Sequence, residues 1–365
     1  MTPEGKDMND KVSIVLENGA VFEGERFGAS CESIGELVFT TGMGGYIETL
    51  TDPSYYGQII MQTFPQIGNY GMISADYESG LCAARGYVCY EHCTAPSNFR
   101  SETTVDAFLK QHGIPGVCGV DTRQLTRMIR EHGVMNAAIV ADPASVDFEQ
   151  LRSYKITGAV KAVSSGETVI DEPDGQTAAT VVLIDYGAKH NIVRELNSRG
   201  CRVVTVPSSS TAEEILAYAP DGIMLSNGPG DPAENTECIA ELQKLLGVRP
   251  IFGICLGHQL LALAAGGKTA KLKYGHRGAN QPVKNLETGR VYISSQNHGY
   301  AVVSDSLTAF GAKVWFENAN DQTCEGVCYP EINAFSVQFH PEACAGPKDT
   351  NMLFDRFASM LGIRK

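Results

Sequence analysis

Residues 250–267, PIFGICLGHQLLALAAGG, predict a buried strand, a sharp turn at Cys255 and a helix. Gly253 and Gly257 flank the cysteine, as expected of a nucleophile elbow, whose strained strand-to-helix turn needs small neighbours. A thiol at the N-terminus of a helix is stabilised as a thiolate by the helix dipole. The stretch therefore indicates an α/β domain with Cys255 as its nucleophile. The alternative is a buried core cysteine between packing glycines.

Strands and helices alternate on both sides of this stretch, and we predict one domain over residues 179–365. Continuous apolar strands separated by helices favour an open, largely parallel sheet with helices on both faces. The strands and helices expected here are TVVLIDYG (180–187), AKHNIVRELNSRG (188–200), CRVVTVP (201–207), DGIMLS (221–226) and, further on, short strands at 290–296, 312–317 and 334–339, with a closing helix over 351–361.

The preceding region has a different pattern, and we predict a smaller, β-rich α/β domain over residues 1–152. Two apolar runs surround Asn18-Gly19, a dipeptide suited to a tight hairpin. Further strands are expected at ELVFTT (36–41) and GQIIMQTF (57–64), and helices over 103–111 and 122–131, the second capped by Asp121 and ended by Gly133. Residues 153–178, rich in Gly, Ser and acidic residues, are expected to be a linker.

Composition and charge exclude several classes of protein. A chain of 365 residues with 43 % hydrophobic and 19 % charged residues fits two or three globular domains. Residues 1–150 hold 9 Lys and Arg against 20 Asp and Glu, a net charge of −11 within a total of −13, so nucleic-acid binding is not expected. The sequence has no apolar run of membrane-spanning length and no visible secretory signal, and its eleven cysteines are irregularly spaced. We expect a reducing, cytosolic location.

A cysteine nucleophile needs a base and a group that orients the base, and FSVQFHPEA (335–343) offers both at one strand end. His340 would exchange protons with the thiol and the leaving group, while Glu342 would hold the other ring nitrogen. His258, His276 and His298 compete as the base. None has a carboxylate placed like Glu342, so structural or substrate-orienting roles are favoured for them.

The loop in DGIMLSNGPGDP (221–232) follows another buried strand and carries Gly228 and Gly230. Its spacing mimics a dinucleotide fingerprint, but Pro229 and Pro232 are unusual in that motif, and an earlier strand begins the fold. Backbone N–H groups of the loop would instead form half of an oxyanion hole, and Leu256 would form the other half.

Metal and nucleotide sites receive little support from the sequence. Cys82, Cys89, His92 and Cys93 lie within twelve residues, but adjacent His92 and Cys93 are awkward ligands for one tetrahedral ion. AAGGKT (264–269) lacks the first glycine of a P-loop and follows a helix. We expect no metal site and no nucleotide site in this chain.

Four motifs in the second half, GICLGHQ (253–259), SNGPGDP (226–232), SQNHG (295–299) and FHPEA (339–343), together resemble class I (triad) glutamine amidotransferases. The resemblance implies that Cys255 is the nucleophile, His340 the acid and base, and Glu342 its partner. It also implies a set of contacts with glutamine and its developing oxyanion. This set comprises Gly42, Gly228, Gly230, Leu256, Gln259, Asn297, Gly299 and Tyr300. Some relatives have Ser at the position of Gly42, and many have Phe at that of Tyr300.

The first half carries GMGGYIETLTDPSY (42–55), IGNYG (67–71), SNFR (97–100) and DTRQLTR (121–127), which are similar to the N-terminal domain of carbamoyl-phosphate synthetase small subunits. This similarity implies a glutaminase that supplies ammonia to a large, ATP-dependent synthetase subunit. ATP and Mg²⁺ would be used by that partner, and no cofactor is implied for this chain. The alternatives are a glutaminase of an anthranilate or purine nucleotide synthase, an independent cysteine hydrolase, and a catalytically dead scaffold.

Overall fold

A computed structural model describes residues 11–363, which divide into two compact units. The first contains the described residues up to Thr51 together with Tyr55–Ile156. The second contains Thr157 onward, and the short segment Asp52–Ser54 groups with it. Within the described range, no helix combines the length and the apolar character needed to cross a membrane.

The first unit is built on a closed barrel of seven strands in the order β1-β2-β8-β6-β4-β3-β9. Three neighbouring pairs run parallel, β3–β4, β4–β6 and β6–β8, and the others run antiparallel. The strands are β1 (Lys11–Leu16), β2 (Val21–Gly28), β3 (Ser33–Thr40), β4 (Gln58–Gln62), β5 (Gln66–Ile67), β6 (Gly86–Val88), β7 (Glu91–His92), β8 (Pro115–Cys118) and β9 (Met135–Val140). The helices are α1 (Tyr46–Leu50), α2 (Val105–Gln111), α3 (Thr122–His132) and α4 (Phe148–Ser153).

Turn and cap residues give this unit the local structure that its sequence predicts. The hairpin between β1 and β2 pairs Val15 with Val21, and Gly19 has the positive φ, 90°, that such a turn requires. At the start of α3, Asp121 Oδ1 accepts a hydrogen bond of 2.8 Å from the backbone N–H of Gln124. Gly133 ends this helix with φ 97°. The expected hairpin and helix are both confirmed.

The second unit contains one ten-stranded sheet in the order β10-β12-β11-β13-β14-β19-β18-β16-β15-β17. Its strands are β10 (Val169–Asp171), β11 (Ala179–Asp185), β12 (Cys201–Pro207), β13 (Gly222–Leu225), β14 (Ile251–Ile254), β15 (Thr269–Asn285), β16 (Val291–Val302), β17 (Lys313–Asn318), β18 (Cys324–Tyr329) and β19 (Ala334–Val337). Its helices are α5 (Ala159–Val163), α6 (His190–Asn197), α7 (Ala212–Ala217), α8 (Thr236–Leu245), α9 (Leu256–Ala264) and α10 (Met352–Met360).

Helices cover both faces of this sheet, as the continuous apolar strands predict. Successive residues of β11 point to opposite sides. Val182 packs in a core cluster with Leu242 of α8 and Leu260 of α9, whereas Val181 packs in a second cluster with residues of α6 and α10. Apolar side chains on both faces explain why the strand sequence does not alternate with polar residues.

The expectation of a largely parallel sheet holds only for the centre. The strands β12, β11, β13, β14 and β19 are parallel neighbours, but β10 and the flank β18-β16-β15-β17 pair antiparallel. Parallel strands need long crossovers, which the helices provide, whereas consecutive strands joined by short connections pair antiparallel. The chain after α9 has no such helix until α10.

The predicted linker over residues 153–178 is wrong as a description of this segment. It contains α5 and β10, and β10 pairs antiparallel with β12 at the sheet edge through Val169↔Thr205. Its Gly- and Ser-rich composition reflects turns between short elements. The first unit ends at Ile156 rather than at residue 152.

Candidate active site

Cys255 occupies a strained turn between β14 and α9. Its φ of 52° and ψ of −103° lie outside the common regions for a residue with a Cβ, and its side chain is buried. A Cβ on Gly257 would lie 2.5 Å from the carbonyl oxygen of Leu225, and one on Gly253 would lie 2.8 Å from that of Gly257. The turn therefore requires both glycines, as the elbow pattern predicts.

The sheet brings the other catalytic candidates to the same edge. Strand β19 is the parallel neighbour of β14, so the segment after its carboxyl end, which carries His340, lies beside Cys255. The thiol contacts this neighbourhood directly. Gln338 Nε2 donates to Cys255 Sγ at 3.6 Å, and the thiol lies 3.6 Å from the carbonyl oxygen of Asn297.

His340 and Glu342 form a buried pair, with 2.7 Å between Nδ1 and Oε1. This contact places the Nδ1 proton toward the carboxylate and leaves Nε2 as the atom available for proton transfer. Within residues 11–363, Nε2 has no hydrogen-bond partner. The pair has the arrangement of an acid–base residue and its orienting carboxylate.

Lys189, which sequence reasoning missed, adds a buried cation to this pair. Its Nζ lies 3.3 Å from Glu342 Oε1, 3.2 Å from His340 Nδ1 and 3.6 Å from Asp52 Oδ2. Burial raises the pKa of Glu342, but His340 and Lys189 outweigh it and hold that pKa at about 2. Burial and Lys189 lower the pKa of His340, but Glu342 and Cys255 outweigh them and raise it to about 10. An imidazolium beside a carboxylate is therefore the favoured state at neutral pH.

The loop after β13 lies against the elbow. A Cβ on Gly228 would be 2.3 Å from the carbonyl oxygen of Tyr186 and 2.7 Å from Leu256 Cδ2, so only glycine fits there. Gly230 has φ 87°, which also favours glycine. The structure thus places Gly228 beside Leu256, two of the three residues predicted to surround an oxyanion, and Gly230 follows two residues later in the same loop.

Four of the predicted glutamine contacts lie in one region. Gln259 Nε2 donates to the carbonyl oxygen of Tyr300 at 2.8 Å and to Gln338 Oε1 at 2.9 Å. Asn297 and Gly299 lie on the same strand as Tyr300, β16, next to the Cys255 thiol. These hydrogen bonds join the nucleophile helix to that strand.

Asp52 and Ser54 are further residues that sequence reasoning did not assign. Asn227 Nδ2 donates to Ser54 Oγ at 2.9 Å, and Asn297 Nδ2 donates to Asp52 Oδ2 at 3.2 Å. Both lie in TDPSY, a stretch that the family resemblance includes, so the available signal was the motif itself. Gly42 lies in the first unit after β3, and its glutamine contact stays a prediction.

Three residues of the cysteine and histidine cluster at 82–93 have other contacts in the structure. Cys89 is fully buried in the barrel core, and the ring of His92 stacks on that of Phe27 at 4.5 Å between centroids. Burial raises the pKa of the Cys82 thiol to about 12, which disfavours the thiolate needed for a metal ligand.

Comparison with known proteins finds a matching family model for each half of the chain. Residues 182–360 match the family model of glutamine amidotransferase class-I, and residues 14–139 match that of the carbamoyl-phosphate synthase small chain, CPSase domain. The carbamoyl phosphate synthase small chain of Listeria monocytogenes serotype 4b is 51 % identical over 351 residues, 95 % of this chain and 96 % of the relative. That of Bacillus cereus strain ATCC 14579 is 50 % identical over 353 residues, 96 % of each chain. The chain therefore belongs to the carbamoyl phosphate synthase small chain family.

Proposed function

We propose that this chain is the glutaminase subunit of a glutamine-hydrolysing carbamoyl-phosphate synthetase. The observation that carries the proposal is the buried set of Cys255 at a strained elbow with His340 and Glu342 at the adjacent strand end. Membership of the small-chain family supports glutamine as the substrate.

In the first step, the Cys255 thiolate attacks the carboxamide carbon of glutamine, and the carbonyl electrons move onto oxygen. When the tetrahedral intermediate collapses, the C–N bond breaks, and the imidazolium of His340 protonates the departing nitrogen. A pKa raised to about 10 keeps that proton available at neutral pH. The products are ammonia and a glutamyl thioester on the cysteine.

In the second step, the neutral His340 removes a proton from water, which attacks the thioester carbon. The C–S bond breaks, glutamate leaves, and the thiolate and the imidazolium are restored. Glu342 stabilises the imidazolium at 2.7 Å and fixes its orientation in both steps. Neither step requires a metal ion or a nucleotide from this chain.

Glutamine and the oxyanion would be held by groups that surround the thiol. Backbone N–H groups of Gly228, Gly230 and Leu256 are the proposed oxyanion donors. The proposed substrate contacts are Gln259, Asn297, Gly299 and Tyr300, and the family resemblance adds Gly42. The Gln259 amide N–H groups bond within the protein, so Gln259 Oε1 is the atom it offers to the ammonium group of a substrate.

The ammonia would pass to a large, ATP-dependent synthetase subunit that makes carbamoyl phosphate from bicarbonate and uses ATP and Mg²⁺. The first unit is the proposed docking domain, because glutamine hydrolysis has no need of a separate barrel with a charge of −11 over residues 1–150. The match of residues 14–139 to the small-chain family disfavours an anthranilate or purine nucleotide synthase as the partner.

The decisive experiment compares the Cys255→Ser variant with a Cys31→Ser variant, whose thiol is exposed and lies in the first unit. With the large subunit present, Cys255→Ser should lose glutamine-dependent synthesis and keep synthesis from ammonium, and Cys31→Ser should keep both. A Cys255→Ser complex that remains assembled but loses both activities would refute the division of labour. Glutamine hydrolysis that survives in Cys255→Ser would refute the nucleophile.

A further inference from the structure

A second buried cluster of metal-binding side chains lies in the antiparallel flank of the sheet. His276 of β15 and His298 of β16 are directly paired across the two strands, and Glu325 of β18 faces them. One donor atom from each residue lies within 4.8 Å of the others, and all three residues are more than nine-tenths buried. Neither catalytic step uses these groups.

The outer nitrogen of each imidazole is bonded to an oxygen that can only accept. His276 Nε2 donates to Asp321 Oδ2 at 2.8 Å, and His298 Nδ1 donates to the carbonyl oxygen of Tyr300 at 2.8 Å. A neutral imidazole carries one N–H. When both rings are neutral, the inner nitrogens, His276 Nδ1 and His298 Nε2, therefore present lone pairs.

These lone pairs face further oxygens. His276 Nδ1 lies 3.3 Å from Glu325 Oε1 and has no hydrogen-bond partner in the described part of the chain. His298 Nε2 lies 3.1 Å from Gln296 Oε1 and 3.9 Å from Glu325 Oε1. A cation bound between these groups would balance the buried lone pairs and the carboxylate.

Amide groups fix the carboxylate that would complete the site. Gln296 Nε2 donates to Glu325 Oε2 at 3.0 Å, and Asn318 Nδ2 donates to Oε1 at 3.3 Å. Asp321 in turn accepts the hydrogen bond from the outer nitrogen of His276. A carboxylate or carbonyl that holds the outer nitrogen of a histidine, together with a hydrogen-bonded ligand carboxylate, is the usual second layer of a metal site.

We propose that His276 Nδ1, His298 Nε2 and Glu325 Oε1 bind a divalent transition-metal ion of the zinc type, with Gln296 Oε1 or water as the fourth ligand. Two imidazoles and one carboxylate suit zinc and its neighbours, whereas magnesium and calcium prefer oxygen ligands alone. The sequence suggested no such site, because its ligands come from three separate strands.

The ion would take no part in the chemistry of glutamine hydrolysis. It would only hold residues of the glutamine site in position. His298 lies between Asn297 and Gly299, so a metal bond would hold the strand that carries the proposed substrate contacts. The three ligands are therefore positioning residues. We expect loss of the ion to raise KM for glutamine severalfold and to leave kcat within about threefold.

The primary test measures metal content, which is independent of glutamine hydrolysis. The full chain is saturated with Zn²⁺, dialysed and analysed by elemental mass spectrometry, and Co²⁺ is added as an optical probe. We expect one ion per chain, with cobalt spectra that lack thiolate charge-transfer absorption. His276→Asn and Glu325→Gln should lose this ion, whereas His132→Asn and Glu287→Gln, both exposed positions, should keep it.

A further variant covers the case in which the buried substitutions prevent folding. Asp321 is half-exposed, so Asp321→Asn should fold. It should weaken zinc binding by roughly 10- to 100-fold, because it acts through His276 Nε2. A wild-type chain that binds no ion at neutral pH, cobalt spectra dominated by thiolate, or equal zinc affinity in the wild type and Asp321→Asn would each overturn the proposal.

Discussion

The second unit contains two buried clusters of histidine and glutamate, and they differ in how their charges are arranged. At the elbow, one imidazole, His340, meets one carboxylate, Glu342, and the Lys189 ammonium lies 3.3 Å from that carboxylate. In the antiparallel flank, two imidazoles converge on Glu325, and the described residues place no lysine or arginine in an ion pair with it.

The difference is visible in the two carboxylates. His340 and Lys189 hold the pKa of Glu342 at about 2 against the effect of burial, whereas burial prevails at Glu325 and raises its pKa. The cluster at the elbow contains its own cations, Lys189 and the His340 imidazolium, and His340 Nε2 is available for proton transfer. The second presents nitrogen and oxygen lone pairs to a shared point. The same residue types therefore serve proton transfer in one place and fit an ion in the other.

Matched histidine substitutions should show the largest contrast. His340→Asn removes the acid and base, so kcat for glutamine hydrolysis should fall by roughly 10²- to 10⁴-fold. His276→Asn should leave kcat within about threefold, because that ring lies outside the proposed chemistry. Ammonia release at saturating glutamine measures both, and thermal melts establish that each variant is folded. Comparable losses of kcat in the two variants would erase the distinction between the clusters.

Replacement of Lys189, the lysine of the elbow cluster, should have the next largest effect, which is a loss of stability. Lys189→Met leaves Glu342 and Asp52 buried without their shared ammonium, which should cost about 3–5 kcal/mol in the free energy of unfolding. Urea denaturation of the full chain measures this loss. Lys244→Met removes an exposed lysine paired with Glu241 and should change stability by less than about 1 kcal/mol. Equal stabilities of the two variants would mean that Lys189 is not part of the cluster's charge balance.

The pH dependence of stability should reveal the His340–Glu342 pair. A folded-state pKa of about 2, below the ordinary 4.5, makes Glu342 stabilising above pH 4.5, and that stability is lost as the pH falls through about 2. A folded-state pKa of about 10, above 6.5, makes the stability due to His340 complete below pH 6.5, and it is lost as the pH rises through about 10.

The difference in Tm between the wild type and Glu342→Gln should therefore be greatest between pH 4.5 and 6.5 and should shrink toward pH 10. Glu287→Gln serves as the control for loss of one exposed carboxylate. A difference that grows between pH 7 and pH 10 would show that the carboxylate does not stabilise an imidazolium.

A fourth buried histidine, His258, has no carboxylate partner within the described range and should give the smallest effect. Burial lowers the pKa of His258 to about 3, and its Nδ1 bonds only to Ser336 Oγ, at 2.8 Å, among the described residues. Ser336→Ala should cost about 1–3 kcal/mol of stability because a buried ring nitrogen loses its partner. The value of kcat should stay within twofold. A large fall in kcat at unchanged stability would extend the acid–base cluster to His258.

The elbow could be predicted because its determinants are local. Strand, glycine, cysteine, glycine and helix follow one another within a few residues, and His340 comes three residues after the strand beside it. Lys189 and Asp52 could not be predicted in this way. Each reaches the site from a distant segment; nothing around Lys189 distinguishes it from a surface charge, and only the TDPSY motif marks Asp52.

The antiparallel flank was harder to predict for a related reason. Strand β15 includes KYGHRGANQP, in which glycines, charged residues and a proline obscure any apolar alternation, and its pairing with β16 shifts register between Lys271 and His276 and again between Gly278 and Gln281. Only this register brings His276 opposite His298. A cluster that depends on the register of three strands has no short motif from which to predict it.

The grouping of Asp52–Ser54 with the second unit has a consequence for the way the gene can be divided. A fragment that starts at Thr157 would contain the elbow, the histidine and its glutamate, yet it would lack the carboxylate that Lys189 and Asn297 both contact. Gene fusions, domain exchanges and truncations designed from the linear boundary would therefore separate residues that share one site. The residues of the glutaminase unit lie together in space, but they come from two separate segments of the chain.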